Sequence, residues 1–81
     1  MATPIKVPHV GMTAEQNTLL RWLKKERQAV KKGEVLAEIE ADKVTVELES
    51  TADGVLIRTL VAEGEEVRPG DIIAYVGPAV G

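Results

Sequence analysis

An internal repeat of 37 residues constrains this chain more than any other feature of its sequence. Shifted by that interval, Gly33 falls on Gly70, Glu34 on Asp71, Val35 on Ile72, Leu36 on Ile73, Ala37 on Ala74 and Ile39 on Val76. Upstream, Leu20 falls on Ile57, Arg21 on Arg58, Leu23 on Leu60 and Val30 on Val67. Two similar units related by a pseudo-two-fold axis are implied. Neither is long enough to cover its own apolar face, so the two must pack on each other as a sandwich.

The units read as β. Val and Ile are frequent, apolar residues alternate, and turn residues interrupt the chain about every ten positions. Strands are expected near Ile5–Val7, Thr18–Leu23, Val35–Glu40, Val44–Glu49, Val55–Val61 and Ile72–Val76. Turns are expected at Pro8 to Met12, Lys32-Gly33, Ala52-Asp53-Gly54, Glu63-Gly64 and Pro69-Gly70. Thr18 to Lys32 taken alone also fits a helix, through Leu19, Leu20 and Leu23. The repeat decides for strand, because its counterpart Val55–Val61 is plainly one.

Composition narrows the chemistry. The chain has 81 residues, room for one domain, and 44% of them are hydrophobic. Trp22 and Tyr75 are the only aromatics, so Val, Ile, Leu and Ala must build the core. Cysteine is absent and His9 is the single histidine. Disulfides and thiolate metal sites are excluded, and a zinc-hydrolase or Ser-His-Asp reading has almost nothing to stand on. A net charge of −3 with two aromatics argues against nucleic-acid binding. No stretch is long and apolar enough for a transmembrane helix, and Met1 to Pro4 lacks a signal-peptide core. Cytoplasm or an organelle matrix is the expected location.

One hairpin concentrates the chemistry. If Asp42-Lys43 form a two-residue tip, Ala41 faces Val44, Ile39 faces Val46 and Ala37 faces Leu48 in one apolar ladder. The other face then pairs Glu40 with Thr45, Glu38 with Glu47 and Leu36 with Glu49, and points to solvent. Asp-Lys is not a favoured tip pair. Glu38 opposite Glu47 is locally unfavourable, by up to about 1 kcal/mol. An acidic field beside one lysine reads as a recognition surface for a basic partner. A lysine between strands is ordinarily only a solvated turn residue that discourages edge pairing. Its other use is as an accessible primary amine for amide linkage to a carboxylic acid cofactor. With an ordinary pKa of about 10.4, such an amine depends on the modifying enzyme for activation.

The run Gly33-Glu34-Val35-Leu36-Ala37-Glu38-Ile39-Glu40-Ala41-Asp42-Lys43-Val44-Thr45-Val46-Glu47-Leu48-Glu49-Ser50 resembles the lipoyl-attachment motif of the acyltransferase components of 2-oxo acid dehydrogenase complexes. Gly54-Val55-Leu56, Glu63 to Val67 and Gly70 to Ala74 match the same family, as do Gly11-Met12-Thr13 and Leu20 to Leu23. The resemblance runs from Ile5 to Val76. It implies an all-β fold, a flattened barrel or sandwich of two four-stranded antiparallel sheets (a barrel-sandwich hybrid). It implies a lipoyl domain over residues 1–77, a linker beginning at 78–81, and lipoate in amide linkage to Lys43. The domain would be a carrier, not an enzyme. Its expected partners are a lipoate-protein ligase or lipoyl transferase, a thiamin-dependent 2-oxo acid dehydrogenase, an acyltransferase core and a dihydrolipoyl dehydrogenase. Glu38, Glu40, Ala41, Asp42, Val44 and Glu47 are the expected recognition residues, and His9, Val10 and Gly11 lie in a loop that helps partners discriminate.

The chain departs from that pattern. Ala41 stands where Thr is usual, Asn17 where Gly precedes Thr18, and Arg27-Gln28 where Gly-Asp is usual. The repeat aligns Arg27 with Gly64, so a left-handed backbone is expected at a residue that adopts it only at a cost. A biotin carrier shares the fold but sets its lysine between two methionines; here the neighbours are Asp42 and Val44. The glycine-cleavage carrier is a longer lipoyl-bearing relative with extra elements. An unmodified docking module of this fold lacks the tip lysine. Trp22 reads as partly buried packing.

Overall fold

The computed structural model describes residues 2–8, 17–41 and 44–78. His9, Val10, Gly11, Met12, Asp42, Lys43 and the final residues 79–81 lie outside the described residues. So does the expected turn beyond Pro8.

Among the described residues eight strands follow one another: β1 Thr3–Lys6, β2 Asn17–Trp22, β3 Ala29–Val30, β4 Val35–Ala41, β5 Val44–Glu49, β6 Gly54–Thr59, β7 Glu66–Val67 and β8 Ile72–Gly77. They form two four-stranded sheets, ordered β1-β8-β6-β3 and β5-β4-β2-β7, in which every pairing is antiparallel. The segment around β2 is a strand, as the repeat requires. Val7, Leu23, Leu60 and Val61 fall outside the strands expected to hold them, and β3 and β7 are additional strands of two residues each. Both short strands sit at sheet edges.

The 37-residue interval carries through to three dimensions. β2, β3 and β4 begin 37 positions before β6, β7 and β8. The pairing of β2 with β4 slips at Leu20, and that of β6 with β8 slips at Ile57. Even the turns repeat. The Trp22 amide donates to the Glu63 carboxylate, and the Thr59 amide donates to that of Glu26. Lys31 N–H donates to Glu34 as Arg68 N–H donates to Asp71. The two halves do not each form one sheet, however. β1 and β3 join β6 and β8, while β2 and β4 join β5 and β7, so each sheet takes strands from both halves.

The core lies between the sheets. Ile5, Val7, Leu19, Leu36, Ile39, Leu56, Val67, Ile73 and Val76 are almost fully buried there. Burying one such side chain is worth about 1.5–3 kcal/mol, which lets a core without Phe hold a domain of this size.

Arg27 has a φ of 74° and is the sole non-glycine residue with positive φ among the described residues; its counterpart Gly64 has 90°. Left-handed geometry costs an L-residue roughly 1–2 kcal/mol, while glycine gives back part of that through unfolded-state entropy. Arg27→Gly is therefore expected to stabilise the domain by about 0.5–1 kcal/mol, seen as a higher midpoint in urea unfolding at unchanged slope. Asn17, by contrast, has no positive φ; it is a buried strand residue paired with Ala41 and Val67.

Glu34 closes its turn from both sides. Its carboxylate lies 3.1 Å from Lys24 Nζ and accepts from Lys31 N–H at 2.6 Å. Lys24 first, then the Lys31 amide, hold its pKa below the ordinary glutamate value. The folded state therefore binds this proton less readily than the unfolded chain. The resulting stability is present above the ordinary glutamate pKa and is lost as pH falls through the lowered one. Glu34→Gln should lower the unfolding midpoint at neutral pH, and the gap to the parent should narrow as pH falls below the glutamate range.

Candidate functional site

The β4–β5 hairpin is built as its alternation dictates. Ala41 pairs with Val44, Glu40 with Thr45, Ile39 with Val46, Glu38 with Glu47 and Ala37 with Leu48. The ladder ends at Ala41 and Val44, so Asp42 and Lys43 are the two residues that join the strands. The expected sixth pair is corrected: Val35, not Leu36, pairs with Glu49, because a bulge lies between Val35 and Ala37. The extra residue, Leu36, turns inward and is 0% exposed. Strict alternation had placed it on the solvent face, but a bulge lets two successive apolar residues share the buried side.

The apolar ladder has a gradient. Ala37, Ile39 and Leu48 are buried, whereas Val44, next to the joining residues, is 52% exposed. The chain on the β4 side of the link is firmly seated. Ala41 is buried and pairs both with Val44 and with Asn17 of β2. That places Ala41 in the core-facing row, with Val44 as the exposed apolar neighbour of Lys43.

The opposite face is acidic. Glu40, Glu47 and Glu49 are exposed, and Glu38 faces Glu47 directly. Arg21 of β2 offsets the like-charge pair. Its Nε donates to Glu38 Oε1 at 2.6 Å, and the Glu38 side chain is only 18% exposed. Glu38, through that hydrogen bond, raises the Arg21 pKa above its already high ordinary value. Sequence reasoning missed this partner, because Arg21 meets Glu38 only through the β2–β4 register, a long-range pairing. The two sheets differ sharply in charge. The strands of the hairpin sheet carry Glu38, Glu40, Glu47, Glu49 and Glu66 against Arg21, whereas those of the other sheet carry Lys6 and Arg58 and no carboxylate.

Trp22 holds the base of this region. It is half-buried and its Nε1 donates to the Val61 carbonyl at 2.8 Å. It packs as a wedge with a satisfied polar edge.

Known proteins share both sequence and architecture. The biotin/lipoyl family model, described as "Biotin-requiring enzyme", matches residues 3–76. The acetyltransferase component of the acetoin cleaving system of Bacillus subtilis is 42% identical over 79 residues, covering 98% of this chain and 20% of that protein. The acetyltransferase component of the pyruvate dehydrogenase complex of Zymomonas mobilis is 41% identical, covering 98% of this chain and 18% of that protein. The chain thus spans about a fifth of the length of these relatives. The solution structure of the lipoyl domain of the Azotobacter vinelandii 2-oxoglutarate dehydrogenase complex superposes with a TM-score of 0.72 at 30% identity, covering 94% of this chain and 99% of that one. With its two four-stranded sheets, a β4–β5 ladder paired up to Ala41 and Val44 and this agreement over nearly its whole length, the chain belongs to the biotin/lipoyl-attachment family and is, within it, a lipoyl domain.

Proposed function

We propose that Lys43 receives lipoate in amide linkage and that the domain carries acyl groups and reducing equivalents between active sites of a 2-oxo acid dehydrogenase complex. The observation that supports this most directly is the β4–β5 register. It brings the strands together at Ala41 and Val44 and leaves a primary amine in the two-residue link. Amide formation requires the Lys43 Nζ to lose a proton and displace the leaving group of an activated carboxyl. An ordinary lysine amine is almost fully protonated at neutral pH, so on this reading activation belongs to a lipoate-protein ligase or lipoyl transferase. Once attached, lipoate supplies a redox-active disulfide on a long flexible arm.

The chain's own residues act by presentation and recognition. Asn17, Ala41 and Val44 seat the hairpin end. Glu38, Glu40 and Glu47, with Asp42, supply a negative field, and Val44 supplies an apolar contact beside the amine. This arrangement suits a partner whose entrance is basic with an apolar rim, and charge complementarity of that kind acts chiefly on encounter rate. The partners on this reading are a thiamin-dependent dehydrogenase, an acyltransferase core and a dihydrolipoyl dehydrogenase. The domain then contributes no catalysis of its own, and the chain beyond Gly77 leads into a linker that keeps the arm at high effective concentration.

Intact mass and peptide mapping test the assignment. Expressed in lipoylation-competent cells supplied with lipoate, the chain is expected to gain a lipoyl increment on the peptide containing Lys43, and Lys43→Arg is expected to gain none. A biotinyl increment, or no increment on a chain shown to be folded, would sink the assignment.

A further inference from the structure

We infer that the two quasi-equivalent edges of this domain are complementary docking surfaces, so that the basic edge of one copy receives the acidic edge of a second copy. Residues 24–34, which carry edge strand β3, hold five cations (Lys24, Lys25, Arg27, Lys31, Lys32) against two glutamates, a net charge of +3. Residues 61–71, their counterparts around edge strand β7, hold four carboxylates (Glu63, Glu65, Glu66, Asp71) against Arg68, a net charge of −3. One backbone device, used twice, thus carries opposite charge on its two occurrences.

Each edge also has an apolar centre. Beside the basic one lies an open cleft of about 570 Å³ lined by Arg27, Val55, Ile57 and Pro78, with Ile57 46% exposed. Beside the acidic one the counterpart of Ile57 is Leu20, 43% exposed, on the strand whose Leu19 amide bonds the Glu65 carbonyl. An exposed leucine beside the acidic edge therefore matches, in a second copy, an apolar cleft whose one cationic lining residue is Arg27.

The charges are available for such a contact. Lys25, Arg27, Lys31, Lys32 and Glu66 are exposed, and among the described residues their side chains form no ion pair within the chain. Lysines along a sheet edge ordinarily keep copies apart. That defence fails when the other edge of the same molecule is acidic. Arg27 adds a second observation, since it occupies a left-handed backbone where the other half of the repeat has Gly64, and strain retained at a surface cleft points to use of the side chain there. The contact joins unlike surfaces head to tail, so it does not close into a dimer and association should grow with concentration.

Sedimentation velocity on this chain, unmodified at Lys43, tests the inference independently of lipoylation. At about 0.01 M ionic strength the screening length is about 30 Å, and the sedimentation coefficient should rise with protein concentration; at about 0.15 M, where it is about 8 Å, the rise should largely vanish. Amide shift changes at low salt should map to residues 18–20, 24–34, 55–57 and 61–71. The double variant Lys31→Glu with Lys32→Glu and the single variant Glu66→Lys, each confirmed as folded by urea unfolding, should each weaken association on the order of tenfold. Arg27→Gly should weaken it while raising stability, which a merely structural role for Arg27 would not do. A sedimentation coefficient independent of concentration at low salt, association unchanged in the charge variants, or shift changes elsewhere on the domain would each overturn the inference. Binding only to some other acidic macromolecule, with no self-association, would overturn it as well.

Discussion

Gly54→Ala is expected to remove about 3 kcal/mol or more of folding free energy. Gly54 opens β6 at a φ of 151°, and a Cβ placed on it would run into the carbonyl of Gly77 on the neighbouring strand. That obstacle is backbone, so no rotamer change relieves it. The strands would have to separate where Val55 pairs with Gly77 and Val30 with Gly54, at the join of β3, β6 and β8. A domain of this length has on the order of 4–12 kcal/mol to lose. Gly33→Ala is the control. Gly33 also has a positive φ, 92°, but a Cβ there meets nothing within 4 Å. Its cost is expected to be about 1 kcal/mol, from backbone geometry alone. Urea unfolding of the two variants separates collision from strain; equal losses would contradict the account.

Leu36→Ala is expected to cost about 3 kcal/mol, within the usual span for truncating a buried leucine. Leu36 is the extra residue of the β4 bulge, fully buried between the sheets. Leu20 is the corresponding off-ladder residue of β2, but it points outward and is 43% exposed. Leu20→Ala should change stability by no more than about 0.5 kcal/mol. The pair distinguishes the bulged register from a regular hairpin, in which Leu36 would face solvent and its truncation would be nearly silent.

The hairpin was legible because its signal is local. Five consecutive cross-strand pairs follow from alternation once the turn is two residues long, and Ala41 to Leu48 obey that rule without exception. Legibility failed where a ladder gains a residue. Leu36-Ala37 and Ile73-Ala74 are successive apolar residues that both turn inward, and period-two counting cannot accommodate them. It failed again at β3 and β7, each of two residues set among charged turn residues, where no alternation can develop. The repeat did disclose the strained backbone at Arg27, since its counterpart is a turn glycine. The Arg21–Glu38 pair stayed hidden because it depends on which strands become neighbours, not on how either reads alone.

The exchange of strands between the two halves bears on how the chain reaches its native state. Neither half owns a sheet, so neither can serve as a stable template for the other. The opening strand finds its place only against the closing one, with Thr3 opposite Val76. A nascent chain leaving the ribosome therefore holds its first strands in waiting until β8 has emerged. Assembly must join distant segments before any local gain repays the lost chain freedom, which places folding in the slow, millisecond-to-second regime of all-β topologies. The symmetry that allows 37 residues to be written twice thus commits the whole domain to fold in a single act at the end of its synthesis.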